Sequence, residues 1–275
     1  MSNLTLSPQV FSILSGLVEE RVGLSYSASE REIFESKACA RAADAGFESM
    51  LDYYYYLRYD DPEQREFTAL VEALLVHETF FFRELEPLQV AISTFIAPAV
   101  REGRRPRIWC AACSTGEEPL TVAMLLKEHD LLGRVELVAS DLSDDVLARA
   151  RLGTYSVRAL RHHQDHPLAA RHLTLRAQQL VAPDELLRAI DFRRVNLVDE
   201  AQVAALGSFD LIVCRNVLIY FRDDRARQVV AALHGALRPS GWLLVGVSES
   251  LMRFGTQLVC EEHKKVFVYR KRGEA

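Results

Sequence analysis

The 275-residue chain contains no run near the roughly 18 consecutive apolar residues that a spanning helix needs. Its opening, MSNLTLSPQVFSILSG, lacks the basic segment and long apolar stretch of a secretory signal. Neither a secreted nor a membrane-inserted protein is expected, which leaves a cytoplasmic one. Excess positive charge is also missing: 33 Lys and Arg against 38 Asp and Glu give a formal net charge of -5. That balance offers no global attraction to nucleic acid or to an anionic membrane surface. The cysteines, Cys39, Cys110, Cys113, Cys214 and Cys260, are odd in number, and the CxxC at 110 and 113 has no second pair to complete a zinc site. Buried, reduced thiols are expected, with no metal. What is present is a 49% hydrophobic content, enough for a main core and a smaller domain.

The first third reads helical. Ser7 and Pro8 supply an N-cap and a proline at the first helical position, and Gly23 ends the apolar face running from Val10 to Val18. Ser27 with Glu30 forms a capping box, and Phe67, Leu70, Val71, Leu74 and Leu75 make one face of a later helix. Lys37 and Arg41 lie four apart, on one helical face, which is either a solvated face or one that pairs with acidic partner residues. Beyond the polar stretch Arg101 to Arg107, strands and helices alternate, which predicts a mostly parallel sheet covered on both faces. The final strands, near 258–260 and 266–270, read as a hairpin around Glu261 to Lys264, which makes an edge strand antiparallel. The pattern breaks between Tyr155 and Val195, where a small β insertion is expected, and its histidines His162, His163 and His166 read as a solvated loop. The organisation is thus an all-α domain over 1–84, a linking helix and linker over 85–106, and an α/β domain over 107–275 with an insertion at about 155–190.

The segment RIWCAACSTGEEPLTVA, from Arg107 to Ala123, reads as a buried strand, a turn of small residues and the acidic first turn of a helix. Ala112, Ser114 and Gly116 let a ligand approach bare backbone, although two of the glycines of a dinucleotide fingerprint are replaced. Glu117 and Glu118 at a helix start repel phosphate, so a ligand with a cationic end and hydroxyls fits better than ATP or NAD. S-adenosylmethionine (SAM) is such a ligand. In an open parallel sheet the ligand lies at the carboxyl ends of the strands, which adds Asp141, placed for a ribose diol. The alternative for Asp141 is a helix N-cap, a role for which Ser143 is better placed.

HETFFFR (77–83), WCAACSTGEEP, ASDLSDDVLARARLGTY, FRRVNL, FDLIVCRNVLIYF and LRPSGWLLVGVSESL occur in order. Together they resemble the successive motifs of the chemotaxis receptor methyltransferase (CheR) family. The resemblance implies a class I SAM-methyltransferase, Rossmann-like sheet behind an all-α N-terminal domain. It also implies transfer of the SAM methyl group to receptor glutamates, giving methyl esters and S-adenosylhomocysteine. On that resemblance, Thr79 and Arg83 touch the cofactor, Glu117 receives its ammonium, Asp141 its ribose, Asn196 and Leu197 surround the adenine, and Arg215 and Asn216 add contacts. Arg83 and Tyr220 border the methyl-transfer site. His77 stands where the family often has Asn; it too is expected at the cofactor, with a dependence on pH. The implied partner is the cytoplasmic region of a receptor, with the β insertion docking a receptor's C-terminal peptide by strand addition. Competing readings are a SAM enzyme acting on RNA or a small molecule, and a non-catalytic SAM-binding module.

Overall fold

The computed structural model describes residues 4–273, and the chain divides into two compact units. Residues up to Val76, joined by Tyr220–Arg225, form the first; His77–Ile219 and Ala226 onward form the second. The expected boundaries near 84 and 106 therefore differ from the packing. Phe81 and Phe82 are fully buried within the second unit, and the helical run Leu85–Arg101 belongs there too, with Phe95 stacked 3.9 Å from Trp242. A polar stretch marked where the next strand starts, but apolar burial decides which unit a segment joins.

In the first unit the helices are Pro8–Val22, Arg31–Asp44, Met50–Tyr55 and Arg65–Leu74. Ser7 caps the first by accepting from Val10 N–H, and Gly23 ends it in the left-handed region at φ 80°. Leu14, Val18, Phe34, Ala38, Tyr53, Leu70 and Leu74 fill the core. The tyrosines of the run Tyr53 to Tyr56 and the nearby Tyr59 divide between core and surface, as their amphipathic character allows. Tyr53 is buried and donates to Glu66 at 2.8 Å, whereas Tyr55 and Tyr59 are exposed. Lys37 and Arg41 do not wait for a partner: Lys37 Nζ donates to the Leu74 carbonyl at 3.0 Å, and Arg41 Nε donates to Glu66 at 2.7 Å. The returning segment is fixed by a bridge between Leu24 and Phe221 and by Ser25 N–H donating to the Tyr220 carbonyl at 3.0 Å.

The second unit contains β1 (Arg107–Ala111), β2 (Glu136–Asp141), β3 (Thr154–Ser156), β4 (Thr174–Arg176), β5 (Gln179–Val181), β6 (Ile190–Arg194), β7 (Phe209–Cys214), β8 (Leu237–Leu244), β9 (Val259–His263) and β10 (Val266–Arg270). Seven of these make one sheet in the order β6-β2-β1-β7-β8-β10-β9. Neighbours are parallel from β6 through β8; β10 is the antiparallel strand, and β9 closes the edge beyond it. Residues Ile108 to Ala111 of β1 are all buried, as a central strand covered on both faces demands. The β9–β10 turn is Lys264–Lys265, both at positive φ, so Glu261 to His263 belong to the strand rather than to the turn. The insertion is a second antiparallel sheet, ordered β3-β5-β4. Two of its histidines are packed rather than solvated, His163 edge-on to Phe82 at 5.9 Å and His166 stacked on it at 4.3 Å, whereas His162 is exposed as the loop reading expects. No helix among the described residues is long and apolar enough to cross a membrane.

Candidate functional site

Strand order reverses between β1 and β7, and the carboxyl ends of β1, β2, β6, β7 and β8 converge there. After β1 the chain turns through Ala112, Ser114 and Gly116 at φ 57°, 49° and 93°. These left-handed backbones form the turn that leads into the helix Glu117–Glu128. Gly116 is needed there twice over. Its φ suits glycine, and a Cβ would sit 2.8 Å from Ala150 Cβ. The buried Ser114 hydroxyl has no hydrogen-bond partner, an orphaned polar atom that a bound ligand's polar end would satisfy.

Two carboxylates face this turn. Glu117 is 4% exposed, accepts from Thr115 Oγ1 at 2.7 Å, and is pushed above the ordinary glutamate value by burial. Asp141, at the end of β2, accepts from Ser114 N–H at 2.8 Å and Ser143 N–H at 3.1 Å. Burial raises its carboxyl, opposed by those backbone donors and by the charge of the exposed His77. Ser143, not Asp141, caps the following helix, by accepting from Val146 N–H. A carboxylate has two accepting oxygens, which suits the two hydroxyls of a ribose.

Val195 N–H donates to the Asp141 carbonyl, which brings Asn196 and the buried Leu197 beside it. Asn196 is engaged locally: its side chain accepts from Val198 N–H at 3.3 Å and its N–H donates to Gln202 at 2.9 Å. After β7, Arg215 is almost wholly buried and spends its guanidinium on Glu118 at 2.7 Å and on the Arg83 and Glu84 carbonyls at 3.0 and 3.1 Å. Burial raises Glu118 and Arg215 opposes the rise. Arg215 thus joins the β1 helix to the HETFFFR segment. That segment is nailed down by Phe81 N–H donating to the Ala159 carbonyl at 2.8 Å, while Thr79 and Arg83 remain half-buried. Arg83 Nη1 donates to the Glu78 carbonyl at 3.1 Å. Asn216 sits at φ 57°. Tyr220 belongs to the first unit.

Sequence reasoning missed two residues. Glu249, after β8, accepts from Asn216, Leu218 and Gly246 N–H groups at 2.7, 2.9 and 2.9 Å and so fixes the turn after β7. A carboxylate in a polar SES run carries no local signal of such a role. The other is Tyr155, whose hydroxyl reaches the Thr115 carbonyl at 2.9 Å.

The donor set fits SAM. A cationic ammonium matches buried Glu117, a ribose diol matches Asp141, and the unpaired Ser114 hydroxyl remains for a polar end. Comparison with known proteins agrees with that chemistry. A family model described as "CheR methyltransferase, SAM binding domain" matches residues 77–267. The chain is 31% identical to chemotaxis protein methyltransferase 2 of Vibrio cholerae, over 98% of this chain and 96% of that one. It is 30% identical to chemotaxis protein methyltransferase 1 of Pseudomonas aeruginosa, over 88% of this chain and 90% of the other.

Proposed function

The chain belongs to the CheR methyltransferase family and is a SAM-dependent methyltransferase, and from that premise we propose that it methylates glutamate side chains in the cytoplasmic region of chemotaxis receptors. The observation that carries this reading is the match over 77–267, which starts at the HETFFFR segment and spans every strand end of the site. When bound, SAM supplies an electrophilic sulfonium methyl group, and S-adenosylhomocysteine remains after transfer.

Glu117 holds the ammonium and Asp141 the ribose hydroxyls; Ala112, Ser114 and Gly116 offer backbone and a hydroxyl; Asn196 and Leu197 border the adenine. His77, Thr79, Arg83 and Asn216 complete the cofactor's surroundings, and Arg215 contributes by holding Glu118 and the Arg83 and Glu84 carbonyls in place. A receptor glutamate with an ordinary pKa near 4.3 is ionised at neutral pH, so its oxygen attacks without a general base. Arg83 orients that carboxylate by hydrogen bonding, a role the family resemblance also gives Tyr220, and placement with exclusion of water supplies the acceleration. The three-stranded insertion offers strand edges to a receptor's C-terminal peptide, an accessory contact that titration with such a peptide measures.

The test is incubation with methyl-labelled SAM and receptor-containing membranes, followed by mild alkali. Methyl esters release volatile labelled methanol. Base-stable label would assign the chain a different acceptor, and no transfer despite SAM binding would leave a binding module.

A further inference from the structure

Tyr155 is the point where the β insertion touches the cofactor turn. It lies in β3, paired with Leu180 of β5, and is 6% exposed. Its hydroxyl donates to the Thr115 carbonyl at 2.9 Å, and on the same residue the Thr115 hydroxyl donates to Glu117 Oε2 at 2.7 Å. The Thr115–Gly116 peptide is held from its other side as well, because Gly116 N–H donates to the Cys113 carbonyl at 3.1 Å. Gly116 packs so closely that a Cβ would stand 3.1 Å from the tyrosine oxygen. The ring itself is fixed by Phe81 of the HETFFFR segment, edge-on at 4.9 Å.

We propose that Tyr155 is a positioning residue for the amino-acid end of the cofactor: it fixes the Thr115 peptide, and through the Thr115 hydroxyl it aims the Glu117 carboxylate. This rests on the reading of Glu117 as the ammonium's partner. Burial, with the nearby Glu117 and Cys113, drives the phenol pKa well upward, so the hydroxyl stays a donor at any working pH. The donor comes from an insertion strand, so the insertion is part of the cofactor site and not only an appendage to it.

The test compares two ligands that share adenosine but differ at the far end, S-adenosylhomocysteine and 5′-methylthioadenosine, the second lacking the amino-acid group. Tyr155→Phe keeps the ring against Phe81 and removes only the hydroxyl. Calorimetric titration should show about two- to tenfold weaker binding of S-adenosylhomocysteine, the usual scale for one lost hydrogen bond, with 5′-methylthioadenosine unchanged. Thr115→Val should give the same selective loss, and it decides the matter if Tyr155→Phe does not fold. Equal weakening of both ligands, or of neither, overturns the proposal. Wild-type protein that binds neither ligand overturns the SAM site on which the proposal rests, a distinct result.

Discussion

If Asp141 holds the ribose as proposed, one carboxylate has two tasks, and they set what its removal costs. Its place at the end of a buried strand was legible, and the ribose role rests on the proposed function; its bonds to Ser114 and Ser143 N–H were not legible, since they depend on how β1 and β2 align. Asp141→Ala should therefore lower SAM affinity and also destabilise the fold by about 1 to 3 kcal/mol, the cost of leaving buried donors unsatisfied. Paired calorimetric titration and urea unfolding check both effects, and unchanged affinity in a folded variant removes Asp141 from the site. Glu117 makes a second prediction through its protonation. Burial raises its folded pKa above the unfolded one, so the stability it lends is complete below the unfolded value and lost as pH rises through the folded one. A bound ammonium favours the carboxylate, so SAM binding should release protons over the range in which the raised Glu117 carboxyl titrates. Titration in two buffers of different ionisation heat measures that release. Lys37 and Arg41 teach the opposite lesson: helical spacing showed that they share a face, but only packing shows that the carbonyl of Leu74 and the carboxylate of Glu66 occupy them.

At the scale of elements, what could be read was whatever local chemistry determines. The Ser7 cap and Gly23 stop bound the first helix, and the helix Asp144–Leu152 runs from its Ser143 cap to a left-handed Gly153. Wide turns of π-helix at Tyr56–Asp60 and Ile92–Ile96 had no such marker, because they arise from packing along an otherwise ordinary helix. The closing hairpin was legible, but the geometry of its tight turn was not. Ala177–Gln178 and Lys264–Lys265 adopt positive φ without the Asn or Gly that usually announces it, and strand register holds them there. Gly116 is the element-level test of the cofactor turn. Gly116→Ala meets Ala150 Cβ at 2.8 Å from a backbone at φ 93°, so strain and clash act together. A loss of about 1 to 3 kcal/mol in unfolding free energy is expected, together with weaker SAM binding. Urea denaturation with cofactor titration checks it, and an unperturbed variant would mean that the helix Asp144–Leu152 yields to the methyl group.

For the molecule as a whole, alternation of strands and helices disclosed the sheet, and motif order disclosed the family, but the division of the chain was legible only coarsely. Apolar side chains at Phe81 and Phe82 draw the HETFFFR segment into the second unit, while Tyr220–Arg225 leaves the sequence of the methyltransferase domain to pack with the first. Every proposed cofactor-holding residue, from His77 to Asn216, therefore belongs to one unit, and Tyr220 belongs to the other. Its carbonyl is anchored by Ser25 N–H, so the backbone position does not depend on the phenol group. If that phenol orients the acceptor carboxylate, Tyr220→Phe should leave SAM affinity at the wild-type value while lowering the transfer rate. The loss should be about ten- to a hundredfold, the equivalent of one hydrogen bond made to a charged group. Single-turnover transfer at saturating SAM, beside calorimetric titration of S-adenosylhomocysteine, separates the two quantities. A variant with unchanged transfer makes Tyr220 a packing residue of the first unit, and one with weakened cofactor binding and unchanged transfer at saturation assigns its hydroxyl to the cofactor instead.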